Sequence, residues 1–298
     1  MGTAELACPC LEAVARMPGH ELVGVITQPD RPKGRDLQLT PPPVKVTAQR
    51  LNLPVFQPAK MREPEAVELV RSLQPDLIAV VAYGQILPVS VLEIPSRGCV
   101  NVHTSLLPRW RGASPIQSAI LHGDAETGVT TMYLNERMDE GDIIFQRVEE
   151  IQPSDTSAVL HDRLALLGAG LLVETIAAIE RGGAPRRVQE PAAVTYARKF
   201  AKEDGRIDWS KPAVEIERQV RAFNPWPSSF TLLDEMLLKV WKVEVVPAMK
   251  MPPGEIRSGC VGTGDCGLRL LEVQPAGKKR MDCDVFLRGH SIDGKVFR

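Results

Sequence analysis

Aromatic residues, histidine and cysteine are all scarce in this chain, and it has no long apolar run. Aromatics make up 5% of its 298 residues, with 5 histidines and 6 cysteines. Cys8, Cys10, Cys99, Cys260, Cys266 and Cys283 fit neither a zinc-ligand spacing nor a Cys-x-x-Cys redox pair. Scattered so thinly, they read as reduced thiols of a cytosolic protein. Cys99 lies inside an apolar run and reads as a small core residue, not a nucleophile. No apolar stretch reaches the roughly 18 residues of a membrane span. The opening MGTAELACPC has no basic stretch followed by a long apolar one, so it is not a secretory signal. No Arg-rich, acid-poor leader precedes Met1, and the expected location is the cytoplasm. A formal net charge of −1 excludes a global basic field, so any nucleic-acid site must be a local patch.

The length exceeds one typical domain, which predicts two. Over the first two-thirds, strand-like and helix-like patterns alternate. Helices are predicted over residues 5–17, 44–51, 65–73, 115–121 and 156–180; strands are predicted over 21–27, 77–82, 98–102, 128–133 and 142–148. A loop rich in Pro and charge fills 28–43. Such alternation implies an α/β fold of Rossmann-like type, a mostly parallel sheet covered on both faces, with ligands beyond the carboxyl ends of the strands. Composition then shifts to Gly, Pro and charge. Residues 1–182 read as one domain, 183–206 as a linker, and 207–298 as a small β-rich domain, a barrel of OB-like type. From Lys199 onward there are 17 Lys+Arg against 14 Asp+Glu, so this half is mildly basic.

One segment carries chemistry. Asn101-Val102-His103 ends a predicted strand, and residues two apart on an extended backbone point the same way. A carboxamide and an imidazole then project together, one to donate to a developing oxyanion, the other to donate or shuttle a proton. Asp139, in the polar turn Met138-Asp139-Glu140-Gly141-Asp142, can orient the imidazole or take a proton from an amine. With no Ser or Cys nucleophile beside them, these groups suggest direct transfer to a substrate that is itself nucleophilic. On spacing alone, an Asn-x-His at a strand end and an Asp in a Gly turn are more often structural. Trp226, in AFNPWP, reads as a packing residue.

The run NVHTSLLPRWRGASPIQSAILHGDAETGV followed by MDEGDII closely resembles the folate-dependent formyltransferases. GTAELACPCLEAV, TQPDRPKGR, AYGQILP, TYARKFAKEDGRIDW, RAFNPWP and FLRGH extend the resemblance over nearly the whole chain and narrow it to the branch acting on tRNA. The resemblance implies catalytic roles for Asn101, His103 and Asp139. It implies a folate-contacting loop at Ser105, Leu106, Leu107 and Pro108, and a pterin-pocket wall including Tyr83, Gly84, Ile86 and Leu87. It implies tRNA contacts from Arg31, Lys33 and Arg35 in an insertion and from Lys199, Lys202 and Arg206 at the linker's end. The implied reaction moves the formyl group of 10-formyltetrahydrofolate, a reduced folate, onto the α-amine of initiator methionyl-tRNA. It needs no metal and no membrane, and nothing suggests more than a monomer.

Two departures from that family stand out. Its members open with a short apolar strand ahead of Met-Gly-Thr, and this chain starts at that Met. Two central strands are then expected to lack a neighbour, at about 1–3 kcal/mol per buried unpaired group, giving poor stability. The insertion reads Gly34-Arg35-Asp36-Leu37, poorer in bases than is usual there, which predicts a shallower salt dependence of tRNA binding. Three rivals stay open: a formyltransferase for an amino-sugar nucleotide, a formyl-folate hydrolase, and a binder without activity. The linker block and mildly basic second half weigh against the first, the short chain against the second, and the intact Asn101, His103 and Asp139 against the third.

Overall fold

A computed structural model describes residues 1–33 and 37–298. The contacts expected of Arg35 and of the Lys33 side chain lie outside the described residues. Two compact units emerge: Met1–Pro115, Glu126–Glu150 and His161–Ala197 form the first, and Ile116–Ala125, Ile151–Leu160 and Arg198–Arg298 the second.

The chain begins with α1 (Ala7–Ala15), β1 (Val25–Ile26), β2 (Arg31–Lys33), β3 (Gln38–Thr40), α2 (Pro43–Arg50), β4 (Val55–Phe56) and α3 (Pro64–Ser72). Both α2 and α3 open on a proline, where a missing N–H costs nothing and the fixed φ suits a first turn. β5 (Ile78–Val81), α4 (Val89–Leu92), β6 (Cys99–His103), β7 (Arg111–Gly112), α5 (Pro115–His122), β8 (Glu126–Tyr133), β9 (Ile143–Glu150), α6 (Ser157–Glu180) and β10 (Tyr196–Ala197) follow. β5 runs parallel to β6; β8 joins β6 antiparallel and β9 joins β8 antiparallel, giving the order β5-β6-β8-β9. Ile78, Val80, Val81, Val100 and Val102 are all buried, as befits strands covered on both faces. Cys99 is in this core too, and burial pushes its thiol up to about 12, which fits a packing role.

Two expectations are corrected. Residues 28–43 are not wholly a loop: β2 and β3 form an antiparallel hairpin with Arg31 opposite Thr40. Only Val25–Ile26 of the predicted strand 21–27 is paired, to β4 in parallel. On its other side β1 has no full neighbour. Gly2 forms a parallel bridge with Val81 and donates its N–H to the Ile26 carbonyl at 3.0 Å; the Val81 N–H meets the Met1 carbonyl at 2.9 Å. Met1 and Gly2 thus lie between β1 and β5 as a strand's last two residues would. The remainder of that lane is a groove of about 650 Å³, lined by Cys10, Leu11, Val14, Val25, Ile78 and Ile176 among others.

The second unit contains α7 (Ala213–Ala222), β11 (Ser229–Leu233), β12 (Met236–Val246), β13 (Ile256–Arg257), β14 (Cys260–Gly262), β15 (Gly267–Pro275), β16 (Met281–Asp282) and α8 (Cys283–Gly289). Its sheet is antiparallel, ordered β11-β12-β15-β14-β13 with β16 on β15. Ile216 and Val220 of α7, Leu238 and Val240 of β12, Leu268 and Leu270 of β15 and Phe286 of α8 share one core. Among the described residues no helix is long and apolar enough to cross a membrane.

Candidate active site

β6 places Asn101 opposite Met132 and His103 opposite Thr130 of β8, so both side chains leave the same face of the strand. Asn101 is half-buried, and its carboxamide has no protein partner among the described residues. His103 is 7% exposed, and its Nε2 lies 2.8 Å from the Trp110 carbonyl oxygen. A carbonyl can only accept, so Nε2 carries the proton. That leaves Nδ1, 3.7 Å from Asp139 Oδ2, as the ring's remaining functional atom. The gap is too long for a hydrogen bond. Asp139 Oδ2 accepts the Gly112 N–H at 2.8 Å, and Oδ1 has no protein partner among the described residues. Asp139 sits at φ 54°, in the left-handed region that Asp tolerates better than most residues.

The stretch 187–197 laces this corner together. Arg187 exchanges both backbone hydrogen bonds with Ile143, and Tyr196–Ala197 pairs in parallel with Arg111–Gly112. Thr195 Oγ1 accepts the Trp110 N–H at 2.9 Å, and the Thr195 carbonyl accepts the Arg111 N–H at 2.9 Å, which fixes the peptide whose Trp110 carbonyl holds His103. Gly112, at φ 117°, approaches Ala197 so closely that a Cβ would fall 2.5 Å from its carbonyl oxygen. Arg111 is buried, giving its guanidinium to Glu140 and Gln189. Arg111, Glu140, Gln189 and Thr195 carried no signal of their own in the sequence because their contacts span many residues; only the blocks RWRG, MDEGD and TYA marked the segments of three of them.

β5 and β6 are parallel neighbours, so the residues following each leave the same end of the sheet. After β6, Ser105 donates to the Arg109 carbonyl, and the Leu107 N–H and C=O are taken by Thr130 and Gln146. Leu107 is buried and Leu106 half-buried, while the Pro108 carbonyl accepts from the Thr195 N–H. After β5, Tyr83 and Leu87 are buried; the Tyr83 carbonyl accepts from Thr3 Oγ1 and Gln28 Nε2. Among the described residues the buried Tyr83 hydroxyl has no partner, and burial pushes it up to about 12. Gly84 is exposed, and Ile86 is 72% exposed. Among the described residues, the backbone groups of Gly84 and Ile86 make no hydrogen bond within the protein. The exposed Ile86 side chain beside open N–H and C=O groups suits a flat heterocycle.

Of the expected tRNA contacts, Arg31, Lys199, Lys202 and Arg206 are exposed. Arg31 touches Gln28 Oε1. Two neighbouring bases, Lys45 and Arg198, are engaged by Asp30 and Asp204. Trp226 is 50% exposed, so it is not the packing residue its setting suggests. Among the described residues no cluster of His, Cys, Asp and Glu is arranged to hold a metal.

Residues 2–176 match the family described as formyl transferase, and residues 199–291 match the formyl transferase C-terminal domain. The chain belongs to the formyl transferase family. Methionyl-tRNA formyltransferase of Methylococcus capsulatus is 48% identical to this family member over 299 residues, covering 99% of this chain and 97% of that protein. The enzyme of that name from Geotalea uraniireducens is 47% identical over 296 residues, covering 98% and 94%. A solved N-formyltransferase from Helicobacter canadensis, in complex with folinic acid and dTDP-3-aminofucose, has a TM-score of 0.68 at 19% identity, covering 93% of this chain and 97% of that one. At that identity the likeness concerns the fold. Asn101, His103 and Asp139 of this formyl transferase fall within the region matched by the first of its two domains.

Proposed function

We propose that this chain transfers the formyl group of 10-formyltetrahydrofolate to the α-amine of initiator methionyl-tRNA, in the cytoplasm and as a monomer. The observation that carries the reading is near-half identity, over almost the full length of both chains, to enzymes named for that activity. Reduced folate supplies the activated formyl group. The turn at Gly84 and Ile86, with Tyr83 and Leu87 behind it and the loop Ser105–Pro108 beside it, is proposed to receive the pterin.

The chain's own groups divide the chemistry. The unpartnered Asn101 amide donates to the oxyanion that develops as the amine attacks. His103 offers only Nδ1, because the Trp110 carbonyl holds Nε2. In its protonated form Nδ1 is a second donor, with the Asp139 carboxylate to balance its charge. Asp139, anchored through Oδ2 by Gly112, takes the amine's proton on Oδ1 as the N–C bond forms. The proton held on Asp139 passes, directly or through water, to the folate nitrogen as its bond to the formyl carbon breaks, which regenerates the carboxylate.

The proposed division is a catalytic domain over 1–182, a linker over 183–206 and a tRNA-binding domain over 207–298. Arg31, Lys33 and Arg35 with Lys199, Lys202 and Arg206 are proposed to neutralise tRNA phosphates. We further propose that the second sheet closes as an OB-like barrel. The bridges Leu233–Phe297 and Glu255–Val296 support closure, since the C-terminal segment there meets both β11 and the residue preceding β13. The decisive experiment supplies 10-formyl folate labelled in the formyl group, with methionyl-tRNA, an amino-sugar nucleotide or water alone as acceptor. Label is expected on methionyl-tRNA. Label on the sugar nucleotide, or released as formate at the same rate without an amine, overturns the proposal.

A further inference from the structure

We propose that Gln189 is a positioning residue for the reaction, acting through Asp139; this rests on the catalytic reading of Asp139 given above. Gln189 belongs to the stretch proposed as a linker, yet it packs within the first unit and is 4% exposed. Its Nε2 donates to the Asp139 carbonyl at 2.8 Å and to the Gly141 carbonyl at 2.9 Å, gripping the turn on both sides of Glu140. Its Oε1 accepts from Arg111 Nε at 3.0 Å, and Arg111 in turn donates to Glu140 at 2.8 Å. These five residues close a ring around the turn. The amide has one orientation here: reversed, it would set its NH2 against the guanidinium and its oxygen against two carbonyls.

The ring has a target. Asp139 holds a left-handed φ, a conformation that persists only where its surroundings impose it. Its Oδ2 is held on the Gly112 N–H and lies 3.7 Å from His103 Nδ1, which leaves Oδ1 for the proposed proton transfer. Gly112 is itself set by its pairing with Ala197 on the same stretch that carries Gln189. Without the two amide donors, the carbonyls of Asp139 and Gly141 lose their partner beside a buried Arg111, and the carboxylate loses its fixed aim. A misplacement of about 1 Å costs on the order of 10²-fold in rate.

The test is a double-mutant cycle on the full chain, read as kcat and as KM for both substrates. Gln189→Ala and Gln189→Glu are each expected to lower kcat by roughly 10- to 100-fold with both KM values nearly unchanged. The second variant keeps the side chain's size and its acceptor for Arg111 but loses the two donors, so it carries the test should the first fail to fold. In an Asp139→Ala background the same changes are expected to lower kcat less than about twofold further, since the positioned group is gone. An equal loss in both backgrounds, or a loss in KM alone, overturns the inference and leaves the catalytic reading standing. An Asp139→Ala enzyme with normal kcat overturns the catalytic reading, and the inference with it.

Discussion

β5 is held differently on its two sides. Toward β6 its backbone is paired from Ile78 to Val81, and the sheet continues through β8 to β9, with one register shift between Thr131 and Met132. Toward β1, among the described residues, its backbone pairs with Met1 and Gly2 alone, and a groove follows. Asn101 and His103 stand on the laced side, with the 187–197 stretch adding further bonds around Asp139. The turn proposed for the pterin begins on the same strand but is tied through Thr3 and Gln28, residues of the sparse side. The residues proposed for the chemistry therefore stand on the over-determined part of the first unit, and those proposed for folate on the under-determined part. Lesions on the β6 side should strike kcat. Lesions on the β1 side should strike stability and the KM for folate.

The largest expected effect probes the laced side. Asn101→Ala, His103→Ala and Asp139→Ala should each lower kcat by roughly 10²–10³-fold, the scale of one lost oxyanion donor or proton-transfer group. Thermal midpoints should move little, because no ladder bond is lost. A kcat within threefold of the parent for any of them would remove that residue from the chemistry. The next effect probes the sparse side. Adding about six apolar, β-branched residues ahead of Met1 places a strand in the groove, where it pairs with β1 and β5. Satisfying several buried backbone groups at about 1–3 kcal/mol each should raise the melting midpoint on the order of 10 °C, with kcat unchanged and KM for folate lowered. Equal midpoints would show that the two sides of β5 are not unequal in stability after all.

The same inequality governs what could be read in advance. Strands 77–82 and 98–102 and helix 156–180 were legible because burial imposes their apolar pattern, and β5, β6 and α6 lie within a few residues of those bounds. The pairing of Asn101 with His103 followed from strand periodicity, and the approach of Asp139 to within 3.7 Å of the ring was suggested by chemistry and by resemblance. Strand 21–27 looked longer than it is because an apolar pattern records burial, whereas pairing also needs a neighbour. The β2–β3 hairpin was masked by Pro29, Pro32 and the run Pro41 to Pro43, which read as loop. Gln189 was invisible for another reason. A lone Gln in a Gly-, Pro- and charge-rich stretch has no local signal, and its partners lie about 50 and 80 positions away.

The smallest effect is a pH dependence confined to the sparse side. The Met1 amine is buried there, donating to the Ala79 carbonyl, and burial pulls it from 8.0 down to about 6. A base with a lowered folded-state pKa binds its proton less readily when folded than when unfolded. Between pH 6 and 8 the unfolded chain therefore holds more protons, and stability from this group rises with pH across that window. Below about pH 6 both states are charged and above about pH 8 both are neutral, so its contribution levels off at either end. One proton sets a ceiling of about 1.4 kcal/mol per pH unit on the slope. Denaturant melts at pH 6, 7 and 8 measure it. Acetylating the amine, or extending the chain ahead of Met1, should abolish the slope, because each removes the titrating group from the lane between β1 and β5. A slope that survives both changes would place the titration elsewhere and leave the lane's buried amine without a measurable share in stability.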